Sequence, residues 1–125
     1  MTRKTSIPIS PAETEILRLV WEIKNATVQD VCEKLPENRN ISYATVQTLL
    51  RRLEKKGYIE HRAKGKAHVF FSVAEQQDVI ASAVGSFLDK LFGGDPVPLM
   101  QHLARHGKIS ADDIERLKKL TKNRS

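Results

Sequence analysis

The sequence has few of the features that mark secreted, membrane-bound or metal-dependent proteins. Cys32 is the only cysteine among 125 residues, so we expect no internal disulfide and no cysteine cluster for a metal. No apolar run approaches the roughly 18 residues of a membrane-spanning helix. The first ten residues, MTRKTSIPIS, lack the apolar segment of a secretory signal. We therefore expect a cytoplasmic protein without membrane insertion.

Patterns typical of enzymes are also absent from the sequence. No nucleophile stands beside an evident base, no glycine-rich phosphate loop follows a predicted strand, and no carboxylate pair stands out. We predict no enzymatic activity and no cofactor. His102 and His106 are spaced as zinc ligands can be, but two histidines without a third ligand are more often surface residues. We therefore predict no metal site.

The net charge of +6 is concentrated in one part of the chain. Residues 39–68 contain eight lysines or arginines and two glutamates, so the rest of the sequence sums to zero. An evenly spread charge would serve solubility, whereas a local excess of this size is better explained by a polyanionic partner. We therefore favour nucleic acid as that partner.

Capping patterns predict where the first helices begin. Ser10 with Glu13, and Thr27 with Asp30, have the three-residue spacing of a capping box. Ser42 is placed to cap a third helix. In that helix apolar residues recur at i, i+3, i+4 and i+7, which predicts a buried face of Val46, Leu49, Leu50 and Leu53.

The rest of the chain predicts a hairpin followed by three more helices. Gly57 supplies the left-handed end of the third helix, and segments 58–62 and 67–73 read as two strands joined by a tight loop. A long helix is predicted from residue 74, a second helix from Pro96 and a third after Ser110. We expect four hairpin residues to join the core rather than to stack on bases: Tyr58, Ile59, Val69 and Phe71. The order of helices and hairpin predicts a mainly α fold, a winged helix-turn-helix followed by a C-terminal three-helix region.

The outer face of the third helix has the composition of a DNA-reading surface. A solvated helix usually mixes glutamate with lysine, yet no acid precedes Glu54 in this helix. Glutamine and arginine can pair with adenine and guanine in the major groove, and small methyl-bearing side chains can contact thymine. The second helix of a helix-turn-helix enters that groove by its N-terminal residues. We predict that the base-reading residues are Ala44, Thr45, Gln47, Thr48 and Arg51.

A second set of residues is predicted to hold DNA phosphates. Arg52 and Lys55 lie further along the third helix, and Lys64 and Lys66 lie at the hairpin tip, where a wing grips the flanking backbone. Ser42, at the start of the helix, completes this set. One lysine of the pair 55–56 has the alternative role of compensating the helix dipole before Gly57.

From residue 74 onward the predicted helices carry more apolar surface than a chain of this size can bury alone. We predict a winged-helix domain over residues 1–73 and a helical dimerisation domain over residues 74–125. The residues expected at the interface of a homodimer are Val84, Phe87, Leu88, Leu91 and Leu117.

Three segments resemble the penicillinase-repressor family, of the BlaI and MecI type. They are ISPAETEILRLVW near the start, SYATVQTLLRRLEKKGYI in the middle and FLDKLFGGD late in the chain, and the resemblance spans about residues 7–120. It implies a dimeric transcriptional repressor that binds a palindromic operator. The family often has basic residues where Ala44 and Gln47 stand, so a different operator sequence is expected.

The resemblance also implies a means of release. In the family, a membrane sensor-protease detects β-lactam and leads to cleavage in the C-terminal domain, between an asparagine and a bulky apolar residue. The corresponding bond by position is His102–Leu103, with histidine in place of asparagine. The paired CxC motifs of the copper-responsive branch are absent. Two alternatives stay open: a winged-helix module for protein interaction, and a repressor of the same fold that answers a different signal.

Overall fold

The computed structural model describes residues 7–122, and within them it contains six helices and one antiparallel hairpin. The order is three helices, the hairpin, then three helices, as predicted. The helices are α1 Pro11–Ile23, α2 Val28–Lys34, α3 Tyr43–Lys55, α4 Gln76–Phe92, α5 Pro96–Arg105 and α6 Ala111–Lys122; the strands are β1 Ile59–Lys64 and β2 Ala67–Ser72.

The predicted caps of α1 and α2 are confirmed. Ser10 Oγ accepts a hydrogen bond from Glu13 N at 3.1 Å, and Glu13 Oε1 accepts one from Ser10 N at 2.7 Å. Thr27 and Asp30 make the same reciprocal pair at 3.0 Å each. Each box satisfies backbone N–H groups that the first turn of a helix leaves without an intrahelical acceptor.

The core of the first part of the chain is built on α3. The four predicted inner residues of α3 are buried, and they pack with apolar residues of α1, α2 and the hairpin. Burial stabilises the fold by about 1.5–3 kcal/mol for each large aliphatic side chain removed from water. This packing therefore fixes which face of α3 points outward. The other members of the core include Ile16, Leu17, Val20, Val31, Tyr58, Ile59 and Phe70.

The hairpin is attached to the helices by one extra backbone bridge. β1 and β2 pair from Ile59 opposite Ser72 to Lys64 opposite Ala67. Phe70 exchanges two hydrogen bonds with Ala26, at 2.7 and 2.9 Å, in the segment between α1 and α2.

The predicted core set was wrong at one residue. Tyr58, Ile59 and Val69 are buried as expected, but Phe71 is only half-buried and Phe70 takes the core position. The bridge to Ala26 is the physical reason, because it holds the backbone of Phe70 against the helices.

The chain divides into two compact units, one ending at Ser82 and the other beginning at Ala83. The division falls within α4, whose Val79 is part of the first core. Helix α4 starts two residues later than expected, and before it the backbone N–H groups of Val73 and Ala74 donate to the carbonyl of Tyr58 at 3.1 and 3.2 Å. The boundary expected between residues 73 and 74 stays a prediction.

The second unit is made of short, well-capped helices with little buried surface. Asp95 Oδ1 accepts from Val97 N at 3.0 Å, and Ser110 and Asp113 form a capping box at 2.9 and 3.1 Å. Neither α5 nor α6 contains a buried residue. Over residues 7–122, no helix has the length and apolar character needed to cross a bilayer.

Candidate nucleic-acid interface

The outer face of α3 is open to solvent along its length. Ala44, Thr45, Thr48 and Arg51 are exposed, and Gln47 is half-buried. Ser42 Oγ caps the helix by accepting from Thr45 N at 3.1 Å. The predicted readers therefore share one accessible surface, on a helix whose opposite face is fixed in the core.

The outer face has two flanks. On one flank, Ala44, Thr45, Thr48 and Arg52 line a shallow pocket. On the other flank, Gln47 and Arg51 border a larger concavity of about 560 Å³ between α3 and the hairpin, which we call the helix–wing groove. Its lining also includes Thr27, Gln29, Tyr43, Glu54, His61, Lys66 and His68.

Three of the eight lysines and arginines of residues 39–68, which we call the clustered cations, form hydrogen bonds or ion pairs within the chain. Arg39 donates to both carboxylate oxygens of Glu15, at 2.6 and 3.1 Å, and these hydrogen bonds raise the pKa of Arg39. Arg62 donates to Asn25 at 2.9 Å and lies over the ring of Phe71, 5.0 Å from its centroid. These contacts hold loops and the hairpin in place.

Lys56 is the third engaged cation. Its Nζ donates to Glu13 Oε1 at 2.7 Å and to the carbonyl of Pro8 at 3.1 Å. Glu13 is buried, with 2% of its side chain exposed. Burial raises the pKa of Glu13, but the hydrogen bonds from Lys56 and Ser10 and the charge of Lys56 outweigh it, so the pKa is lowered overall. Lys56 therefore joins the end of α3 to the start of α1.

The other five clustered cations make no side-chain hydrogen bond or ion pair with any described residue, and all five are exposed. They are Arg51, Arg52, Lys55, Lys64 and Lys66. These five are the cations that the sequence assigned to DNA. Lys64 and Lys66 flank Gly65, whose φ of 62° suits the two-residue hairpin turn.

The helix–wing groove contains residues that the sequence reasoning missed. Tyr43, the first residue of α3, is 52% exposed beside Gln47. His61 Nδ1 lies 2.7 Å from Glu54 Oε2, and the rings of His61 and His68 stack with centroids 4.4 Å apart. Tyr43 precedes Val46 by three residues and Leu50 by seven, so the helix period places it at the edge of the inner face and does not predict its exposure. The contact between Glu54 and His61 depends on how the hairpin folds back onto α3.

The predicted interface residues of the second unit lie on an exposed apolar surface. Val84 and Phe87 are each 48% exposed, Leu91 is 66% exposed and Leu117 is 41% exposed, while Leu88 is half-buried. Further exposed apolar side chains are Val97, Met100, Ile114 and Leu120. Large exposed apolar areas on a soluble protein usually mark interaction sites.

The predicted cleavage bond lies inside α5. His102 is exposed and Leu103 is half-buried. The ring of His102 lies against that of His106, with centroids 4.2 Å apart. Within the described part of the chain, no three histidine, cysteine or acidic side chains are grouped as metal ligands would be.

The first part of the chain consists of three helices and a hairpin with cations at its tip, and the third helix is exposed beside the hairpin. This arrangement defines a winged helix-turn-helix protein. Residues 9–123 match the family model described as penicillinase repressor. The chain belongs to the penicillinase-repressor family.

Individual relatives agree with this assignment. The chain is 30% identical over 112 residues to the methicillin resistance regulatory protein MecI of Mammaliicoccus sciuri, covering 90% of this chain and 91% of that protein. It is 28% identical over 109 residues to the penicillinase repressor of Bacillus licheniformis, covering 87% and 85%. The solution structure of the DNA-binding domain of the repressor BlaI is 30% identical and superposes with a TM-score of 0.53, covering 62% of this chain and 93% of that domain.

Proposed function

We propose that the chain is a sequence-specific transcriptional repressor that binds a palindromic DNA operator as a homodimer. The observation that carries this proposal is the surface of α3 and the hairpin tip. The N-terminal turns of α3, which we call its front, carry no acidic side chain, and five exposed cations of α3 and the hairpin have no acidic partner among the described residues. The names of the relatives, which include repressors and a DNA-binding domain, support it.

Base reading is assigned to the front of α3. Its first two turns carry small or hydrogen-bonding side chains, so the helix can approach base edges closely. Gln47 offers an amide that can pair with adenine, and Arg51 a guanidinium that can pair with guanine, while Ala44, Thr45 and Thr48 offer methyl groups and hydroxyls. Specificity therefore comes from these five residues.

Phosphate binding is assigned to residues around that front. Arg52 and Lys55 lie on the outer side of the last turns of α3, and Lys64 and Lys66 lie at the hairpin tip. Ser42 completes the set, and its hydroxyl combines capping with this role. Such contacts orient the protein on DNA without reading its sequence, so their effect should be the same on all sequences.

The second unit is assigned to dimerisation. Val84, Phe87 and Leu91 are too exposed to be covered by the described residues of their own chain, and a second copy would cover them. A two-fold dimer presents two copies of α3 to half-sites about one helical turn apart. A palindromic operator follows from that symmetry.

A DNA-binding comparison tests the proposal. An operator selected from random duplexes should bind at least about 10³-fold more tightly than a duplex with the same composition and scrambled half-sites, at physiological salt. Weak, equal binding to both duplexes would contradict the proposal and would favour a winged-helix module for protein interaction.

The proposed route of release is cleavage of the His102–Leu103 bond by a sensor-protease system that answers β-lactam. A protease must unwind a helix before it cuts within it. Helix α5 contains no buried residue, so its local unwinding should cost little free energy, which supports cleavage at this bond. Mass spectrometry of the protein from β-lactam-treated cells should find a fragment ending at His102. Intact protein together with relieved repression would instead indicate a repressor that answers a different signal.

A further inference from the structure

The helix–wing groove contains a negative charge at a place where the proposed function brings phosphates. Within the described part of the chain, Glu54 is the one carboxylate that lines this groove. Arg51 and Lys66 line it as well, and they belong to the two elements proposed to hold DNA, α3 and the hairpin tip. A phosphate placed between those cations would be repelled by Glu54.

His61 is placed to cancel that repulsion. Its Nδ1 lies 2.7 Å from Glu54 Oε2, and both side chains are about one-third exposed, at 34% and 30%. A neutral His61 leaves the pair with a charge of −1, and a protonated His61 leaves it neutral. A proton on His61 would therefore remove the repulsion that Glu54 exerts on a phosphate in the groove.

The charged groups around His61 come from three elements. Helix α3 supplies Glu54 and Arg51, the hairpin turn supplies Lys66, and β2 supplies His68, whose ring stacks on His61. The α2 residues that line the groove, Val28 and Gln29, carry no charge. Protonation of His61 is disfavoured by the positive charges of Arg51, Lys66 and a protonated His68. It is favoured by the negative charges of Glu54 and an incoming phosphate.

We propose that operator binding is coupled to protonation of His61, which neutralises Glu54 inside the helix–wing groove. The inference rests on the proposed function and adds a regulatory property to the same site. DNA binding takes up a proton at His61, and by linkage the affinity for DNA falls as pH rises. The groove thus binds phosphate well at mildly acidic pH and less well at alkaline pH.

The test measures the affinity of the full-length protein for its selected operator between about pH 6 and 8.5 at constant ionic strength. The wild type should lose on the order of three- to tenfold in affinity per half-site over this range, below the limit of about tenfold per pH unit that one linked proton per protomer sets. Glu54→Gln should bind more tightly than the wild type at the alkaline end, and its pH dependence should be smaller but not absent, because the incoming phosphate still favours a proton on His61. His61→Gln should be nearly independent of pH.

Two results would overturn the inference. One is specific operator binding by the wild type with the same pH dependence in His61→Gln. The other is weaker binding by Glu54→Gln with an unchanged pH dependence, which would show that the contact between Glu54 and His61 only holds the hairpin in place. His102→Gln, in the other compact unit, is the matched control and should behave as the wild type. If the wild type shows no sequence preference at any pH, the proposed function itself fails.

Discussion

Replacing Lys56 by methionine should destabilise the first unit by leaving a buried carboxylate without its cation. Glu13 is 2% exposed and receives hydrogen bonds at 2.7 Å from both Lys56 Nζ and Ser10 N. Methionine keeps an unbranched apolar side chain of similar length but cannot donate to Glu13. The variant therefore isolates the polar contribution of Lys56.

The magnitude follows from the burial of the two partners. Removing one partner of a fully buried ion pair costs about 3–5 kcal/mol. The side chain of Lys56 is 29% exposed, so water screens part of the interaction, and we expect a loss of about 2 kcal/mol. In a unit of this size, that loss lowers Tm by ~10 °C.

The pH dependence of this effect has a definite sign. The pKa of Glu13 is lowered from its ordinary value of 4.5 in the folded protein, although burial alone would raise it. The stabilisation is therefore fully present above pH 4.5 and is lost as pH falls through the lowered pKa. Without Lys56, only the hydrogen bonds from Ser10 oppose the effect of burial, so the pKa of Glu13 should be higher in the variant than in the wild type. The difference in stability between wild type and variant should thus shrink on acidification.

Urea unfolding at about pH 7 and about pH 3.5 measures both quantities. Lys55→Met is the matched control, because Lys55 is the adjacent lysine, is exposed and makes no side-chain hydrogen bond or ion pair with another described residue. It should leave stability within about 0.5 kcal/mol of wild type and instead weaken DNA binding. Equal stability of the two variants at neutral pH would refute the reasoning, as would a Lys56→Met effect that does not change with pH.

Two further predictions concern the DNA surface and the dimer. Arg52→Ala and Lys64→Ala should each weaken binding to specific and non-specific DNA alike. Each should also lower the slope of log K against log salt by about 1 per half-site. A loss of binding confined to one DNA sequence would contradict their phosphate role. Leu91→Asp, at a side chain that is 66% exposed, should give folded monomers in sedimentation at micromolar concentration and weaken operator binding, because two half-sites are no longer held together. A monomeric wild type would contradict the dimer.

Local chemistry made the helix boundaries and the faces of α3 predictable. The capping boxes of α1, α2 and α6 and the left-handed Gly57 depend on residues within a few positions of each other. The inner face of α3 follows from its period. The exposure of Ala44 and Thr48 could therefore be expected from the sequence alone.

Contacts between distant segments were not predictable. Glu13 and Lys56 are 43 residues apart, and only the packing of α1 on α3 brings them together. The bridge between Ala26 and Phe70 likewise depends on tertiary structure, and it decides which phenylalanine is buried. The excess of cations in residues 39–68 indicates the basic surface. It does not reveal that Arg39, Lys56 and Arg62 form hydrogen bonds with side chains of the same chain.

Reading of DNA bases by the N-terminal turns of α3 is the central claim about function, and Gln47 tests it most directly. Operators should be selected in parallel for the wild type, for Gln47→Ala and for Gln101→Ala, a control at an exposed glutamine of α5. We predict that Gln47→Ala loses about 1–3 kcal/mol of discrimination at one or two positions of each half-site, and that the other two proteins share one consensus. The same consensus for all three proteins would contradict the claim.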